Sequence, residues 1–235
     1  MESECRNIIS IVTRAAERLA LLDTISKTIN PVSTIDASHY FYKPVRIMMF
    51  ADLHYLDTKD LNLLENLEYD ACFFMGDIKV KYIEMIKEHL NNRPVYGILG
   101  NHDDASDLER VQIENLHGKR IEIGDISFAG FEGGTKYRFG KGVMYDQDET
   151  ISISDSIPEA DVLLSHDGPF HLYGVHRHHC GMKGISKYIQ EKKPLFNFHG
   201  HYHINRMQQI ARTTVVCHYK CAIYDFMAHT KTKIF

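Results

Sequence analysis

The 235-residue chain holds 15 histidines, and those with the greatest chemical potential are grouped. With aspartates and one asparagine they form short clusters: Asp52-Leu53-His54, Gly76-Asp77, Gly100-Asn101-His102-Asp103, His166-Asp167 and Gly200-His201-Tyr202-His203. Carboxylate, imidazole and amide oxygen together suit the divalent ions Mn, Fe, Co, Ni or Zn. The set is larger than one open catalytic ion needs, typically three protein groups. Two ions sharing a carboxylate would use it fully, and a pair roughly 3.5–4 Å apart is the standard clamp for displacement at phosphorus. Each cluster alone has a bland reading: a turn cap at Asp52, a turn signal in Gly-Asp, loop punctuation in Gly-Asn-His-Asp, a chance pair in His-x-His, a structural His166. Their shared placement argues against joint coincidence.

Each cluster follows a short apolar run: Val45–Phe50, Ala71–Met75, Val95–Leu99, the segment ending at Ser165, and Leu195–His199. Helices are expected between them, at Leu61–Leu67, Lys79–Asn91, from the capping-box pattern Ser106-x-x-Glu109 through Leu116, and at Ile185–Lys192 before Pro194. Such alternation predicts an α/β fold with buried, largely parallel strands. Ligand sites in such sheets lie beyond the carboxyl ends of the strands, where these clusters fall. Arg120–Ile123 and Ile126–Phe131 read as a hairpin around Gly124-Asp125, and Thr213–His218 and Ala222–Met227 as extended. Residues 3–30 read as a helix with a stripe at Ile8, Val12, Ala15, Leu19, Leu22 and Ile29, stopped by Pro31. The stripe suits packing on its own domain, or a heptad seam for a homodimer. The chain divides into an N-terminal helical extension, 1–42, and one domain, 43–235.

Composition bounds the class. At 44% apolar residues the chain can bury a sizeable core, and no apolar run reaches the roughly 18 residues of a membrane span. The N-terminus lacks the basic start of a signal peptide. Five cysteines, an odd count without disulfide-like spacing, suit a reduced cytoplasmic protein. The net charge of −4, from 27 basic and 31 acidic residues, argues against a partner as long as extended nucleic acid. It leaves small phosphates open, because bound divalent ions reverse the local sign.

In order and as a set, these clusters resemble the signature blocks of the calcineurin-like metallophosphoesterases, over residues 45–205. The resemblance implies an αββα sandwich of two mixed β-sheets flanked by helices, here with an extra N-terminal helix. It implies that Asp52, His54 and His203 hold one divalent ion, that Asn101, His166 and His201 hold a second, and that Asp77 bridges them. Manganese is the expected metal, with Fe, Zn, Ni or Co as alternatives. His102 becomes a proton donor or phosphate contact oriented by Asp103, and a bridging hydroxide the nucleophile. No signature ligand is missing, which favours a competent enzyme. The protein phosphatases of this superfamily follow Gly-Asp with an Asp-Arg-Gly segment whose Arg binds phosphate. Here Ile78-Lys79-Val80-Lys81 stands instead, so the chain looks more like the small bacterial or viral phosphodiesterase branch.

Two loops are candidates for selecting the substrate. Gly133–Gly142 carries Lys136, Tyr137, Arg138 and Lys141, and reads as a cover for a phosphate or as a plain solvent-exposed loop. Gly168–Gly184 carries His171, His176, Arg177, His178, His179 and Cys180, and reads as a substrate mouth, an ordinary polar loop or a separate zinc site. Tyr137, Arg138, His176, Arg177, His178 and Asn101 are the candidate substrate contacts. His199 is a candidate orienter of a ligand. The expected activity is hydrolysis of a small phosphate diester, such as a nucleotide or cyclic nucleotide. A metal-dependent nuclease and a non-catalytic binding scaffold are the alternatives.

Overall fold

The computed structural model describes residues 45–138, 140–173 and 179–235. The expected 3–30 helix and the 1–42 extension lie outside them, as do His176, Arg177 and His178.

Two six-stranded sheets organise the domain. The strands are β1 (Arg46–Ala51), β2 (Ala71–Phe74), β3 (Val95–Gly97), β4 (Glu114–Asn115), β5 (Arg120–Ile123), β6 (Ile126–Phe131), β7 (Gly134–Thr135), β8 (Met144–Tyr145), β9 (Val162–Ser165), β10 (Phe196–His199), β11 (Arg206–Ile210), β12 (Thr213–Cys217), β13 (Lys220–Asp225) and β14 (Thr230–Lys233). The first sheet runs β14-β13-β1-β2-β3-β4, and the second β11-β12-β10-β9-β6-β5. Both are mixed: β1, β2, β3 and β4 pair in parallel, as do β6, β9, β10 and β12, while β13, β14, β11 and β5 pair antiparallel at the flanks. The expected hairpin is β5–β6, turning through Gly124 at φ 59°. β7 and β8 form a separate two-stranded pair.

Continuous apolar runs form the central strands because both faces are covered. Phe73 of β2 stacks on Phe128 of β6 at 5.2 Å, and Phe198 of β10 meets Tyr224 of β13 at 4.9 Å, so aromatic rings fill the space between the sheets. The outer face of the first sheet carries Met48, Phe50 and Phe74 against Ile83 and Ile86 of helix α2 (Val80–Lys87), which follows the short α1 (Thr58–Asn62). Leu108 of α3 (Asp107–Arg110) joins this cluster. The outer face of the second sheet carries Phe131, Leu163 and Val215 against Ile185, Tyr188 and Ile189 of α5 (Lys183–Lys192). That face is also served by α4 (Gln147–Ser156), whose Thr150 accepts the Gly184 N–H at 3.0 Å. The fold is therefore two mixed sheets flanked by helices.

Two helix expectations are corrected. Leu61 and Asn62 close α1, whose N-terminus is capped by Asp57, and turns follow over 63–66 where the helix was expected to run on to Leu67. The helix expected from Ser106 to Leu116 is a single turn, and the Ser106 side chain makes no cap bond. Gln112 turns left-handed at φ 54°, and the chain enters β4 instead.

Candidate metal centre

The ligand-bearing turns leave the carboxyl ends of β1, β2, β9 and β10 and follow β3, and they meet across the two sheets. The Asp52 N–H donates to Gly76 O, and the Gly200 N–H to His166 O. Links between the sheets come from the functional residues themselves. Asp52 Oδ2 accepts the His201 N–H at 2.8 Å, and His166 Nδ1 lies 2.8 Å from Met75 O. Asp52, Asp77, His201 and His203 all have positive φ, between 54° and 71°. Such left-handed turns cost free energy in non-glycine residues and cluster where function requires them. The neighbouring glycines are sterically required. A Cβ on Gly100 would lie 2.1 Å from Asp77 Oδ1, and one on Gly200 would lie 2.6 Å from Asp52 Oδ2.

Two ligand groups result: Asp52, His54 and His203, and Asp77, His166 and His201. In the first, His54 Nε2 and His203 Nε2 lie 3.1 Å apart, and Asp52 Oδ1 is 3.5 Å from His203 Nε2. Asp52 Oδ1 is buried with no hydrogen-bond partner. A buried carboxylate oxygen in that state is costly unless a cation meets it. In the second group, His166 donates its Nδ1 proton to the Met75 carbonyl, so Nε2 faces Asn101 Oδ1 at 3.0 Å and Asp77 Oδ2 at 3.4 Å. Those are acceptors, so the space among them suits a positive charge. A proton takes that role in the metal-free protein. Burial lowers the His166 pKa, but the Asp77 charge and hydrogen bond outweigh it and push it up to about 10. Burial likewise opposes the Asp77 charge, yet His166 holds that carboxyl below its ordinary range. The donor chemistry and the orphaned Asp52 oxygen fit divalent ions.

Both groups open on one cleft of about 120 Å³, lined by His54, Asp77, His102, Tyr137, His179, His201 and His203. The profile of the calcineurin-like phosphoesterase superfamily domain matches residues 45–217. The chain belongs to this superfamily. Similar folds occur in a protein from Thermus thermophilus, with TM-score 0.58 and 16% identity over 82% of this chain and 100% of its own. Another is phosphopantetheinyl hydrolase from Mycobacterium tuberculosis, with TM-score 0.51 and 13% identity over 77% of this chain and 91% of its own. No curated protein matches in sequence. Calcineurin-like phosphoesterases are metal-dependent, and this one presents candidate ligands for that role. Among the described residues no helix is long and apolar enough to cross a membrane.

The other expected site residues of this calcineurin-like phosphoesterase divide by placement. His102 is exposed at the cleft. Its pKa is lowered by burial, with Arg138 also disfavouring its charge while Asp77 pulls the other way. Asp103 was expected to orient the His102 ring. Its Oδ2 instead accepts the backbone N–H groups of Asp77 at 2.9 Å and Gly100 at 2.7 Å. The ring meets Tyr137 Oη at Nε2 and Arg138 Nη2 at Nδ1, both at 3.4 Å. Asn101 directs Oδ1 to His166 and Nδ2 to Tyr137 Oη, the latter at 3.3 Å. The solvent-exposed reading of the Gly133–Gly142 loop therefore fails at Tyr137, which lines the cleft.

His179 also lines the cleft, with its ring 4.9 Å from that of His201. The sequence marked it as part of a histidine-rich loop but gave no basis for choosing it over its neighbours. His171 is exposed and stacks on Phe170, and Cys180 Sγ lies 3.6 Å from Gln147 Nε2. Neither belongs to a potential ligand group among the described residues. His199 is buried between Gly200 O and Tyr173 Oη, and burial pushes its pKa down to about 4. It holds the backbone before His201 rather than a ligand ring. Asp167, adjacent to His166, is a further anchor. Its carboxylate accepts the Thr135 N–H at 3.1 Å and so ties β7 to the turn after β9.

Proposed function

We propose that the protein is a phosphodiesterase that hydrolyses a small phosphate ester with two divalent ions, manganese foremost. The observation that carries this reading is the convergence of both ligand groups on one cleft. Asp52, His54 and His203 would hold one ion, and Asn101, His166 and His201 the other, with Asp77 shared. Bound divalent ions supply an activated water for in-line displacement and neutralise the phosphoryl oxygens.

The chain's own residues supply position and hydrogen bonds. Arg138 can only donate, so His102 Nδ1 accepts and the neutral ring carries its proton on Nε2. That N–H faces the cleft beside Tyr137, where it can donate a hydrogen bond that stabilises a leaving oxygen. Asp103 holds the backbone on either side of the ligand turns, which fixes Asp77 before substrate arrives.

Metal analysis of the purified protein, followed by a manganese-supplemented screen, tests the reading. The screen holds bis-p-nitrophenyl phosphate, p-nitrophenyl phosphate, cyclic nucleotides, dinucleotides and single-stranded DNA. Two ions per chain with turnover of the small diesters is the expected result. DNA cleavage as the main activity would replace the reading with a nuclease, and no turnover with any metal would replace it with a scaffold.

A further inference from the structure

We infer that Arg138, delivered by the Gly133–Gly142 loop, is the residue that grips the substrate's phosphoryl oxygens beside His102. The inference rests on the phosphoesterase reading of the cleft and names a phosphate-recognising cation for it.

The loop is fixed where it matters. A Cβ on Gly134 would lie 2.9 Å from Asn101 Cβ, and one on Gly142 would lie 2.2 Å from Asn101 O. Both ends of the loop therefore pack directly against the backbone or side chain of Asn101, an approach that only glycine permits. Gly142 also has φ 110°, outside the range side chains favour. The Gly133 N–H donates to Leu99 O, and Thr135 is held by Asp167. Between these anchors Tyr137 Oη reaches Asn101 and His102, and the next residue sets its guanidinium on the opposite nitrogen of the same imidazole.

The charge on Arg138 is not spent on a carboxylate. Lys136, two residues earlier, has Asp146 at 3.5 Å, whereas among the described residues no carboxylate pairs with Arg138. Its contacts are His102 Nδ1 and the face of Tyr137, 5.8 Å from the ring centroid. The lysines that follow Asp77 do not serve in its place, since Lys79 and Lys81 lie over the Tyr82 ring. A guanidinium presents parallel N–H donors that match two oxygens of one phosphate. A guanidinium with no carboxylate partner among the described residues, set beside the cleft that holds both ligand groups, is arranged for an anion, and the ligand class is a phosphoryl group.

Isothermal titration of the manganese-loaded protein with inorganic phosphate tests this, alongside kcat and KM on bis-p-nitrophenyl phosphate. Arg138→Gln should weaken phosphate binding about 10- to 100-fold and raise KM, with manganese affinity unchanged, and Arg138→Lys should restore part of the loss. The same loss should persist in a His102→Ala background, because Arg138 meets phosphate itself. If the loss disappears in that background, Arg138 acts through His102 and the inference is overturned. Unchanged phosphate affinity in Arg138→Gln overturns it alone. A wild-type protein that binds manganese but neither binds phosphate nor turns over any phosphate ester overturns the phosphoesterase reading, and the inference with it.

Discussion

Asp103 Oδ2 accepts the backbone N–H of Asp77 at 2.9 Å and thereby anchors the carboxylate proposed to be shared by two ions. The same oxygen accepts the Gly100 N–H, so one buried carboxylate joins the turn after β2 to the turn after β3. Burial and the nearby Asp77 charge push its pKa up to about 6. Asp103→Ala removes the acceptor and leaves both buried N–H groups without a partner. It should lower stability by about 1–3 kcal/mol and weaken manganese binding. Urea denaturation and manganese titration check this. Wild-type values for both would show that Asp103 is not an anchor.

His102→Ala should behave in the opposite way. The ring is exposed and belongs to neither ligand group. Manganese content and thermal stability should stay at wild-type levels, while kcat falls about 10²- to 10⁴-fold on a substrate with a poor leaving group. With p-nitrophenolate, which leaves without help, the loss should be smaller. An equal loss on both substrates would remove the hydrogen-bond donor role.

Asp77→Ala should leave neither ion tightly bound and abolish turnover, since its carboxylate faces His166 and lines the shared cleft. Asp52→Asn replaces the orphaned oxygen of the first group while an amide oxygen can still accept the His201 N–H. Metal analysis after dialysis should find about one ion per chain in Asp52→Asn and none in Asp77→Ala. Equal metal content in the two variants would show that Asp77 is not shared.

Strands and ligand turns were legible because each central strand is buried on both faces, which writes an unbroken apolar run such as Ile47–Phe50 directly into the sequence. The polar clusters then stand out at the ends of those runs. Helix α4 was missed for the converse reason. Its buried positions are Thr150 and Ser154, and it packs on α5 at Gly184, where a Cβ would lie 1.9 Å from Thr150 O. A face of small polar residues leaves no apolar period to read. A usable signal was present in Glu149, whose carboxylate accepts the Asp146 N–H at the helix start. Tyr137 and Arg138 were readable as candidate substrate contacts, but their place beside Asn101 and His102 was not, because it depends on the packing of Gly134 and Gly142 against Asn101, more than 30 residues away.

Gly100→Ala should be as damaging as the loss of a ligand. Its Cβ would fall 2.1 Å from Asp77 Oδ1 and 2.4 Å from Asp77 N, and neither can retreat without moving a backbone that Asp103 holds. Gly118→Ala is the control, since nothing lies within 4 Å of its added Cβ, though its φ of 68° carries some strain. Gly100→Ala should lose manganese binding and turnover, and Gly118→Ala should keep both while losing about 1 kcal/mol of stability. Manganese binding retained by Gly100→Ala would mean the two turns are looser than the structure shows.

Manganese binding should depend steeply on pH, because an ion must displace a proton. In the metal-free protein His166 is held protonated by Asp77, with its pKa pushed up to about 10, and a ligating imidazole must be neutral. One proton is therefore released on binding at neutral pH, and the apparent affinity should rise about tenfold per pH unit between pH 6 and 8. The same shifts set the stability of the metal-free protein. The raised His166 pKa contributes stability that is full below its ordinary value of 6.5 and lost as pH rises through about 10. The lowered Asp77 pKa contributes stability that is present above its ordinary value of 3.8 and lost as pH falls further. The metal-free Tm should therefore be highest between these limits, and the increment added by manganese should grow from pH 6 to 8. Calorimetric titration in buffers of different ionisation enthalpy counts the released proton directly. A count near zero at pH 7, with a flat affinity profile, would mean that the ions do not bind at His166.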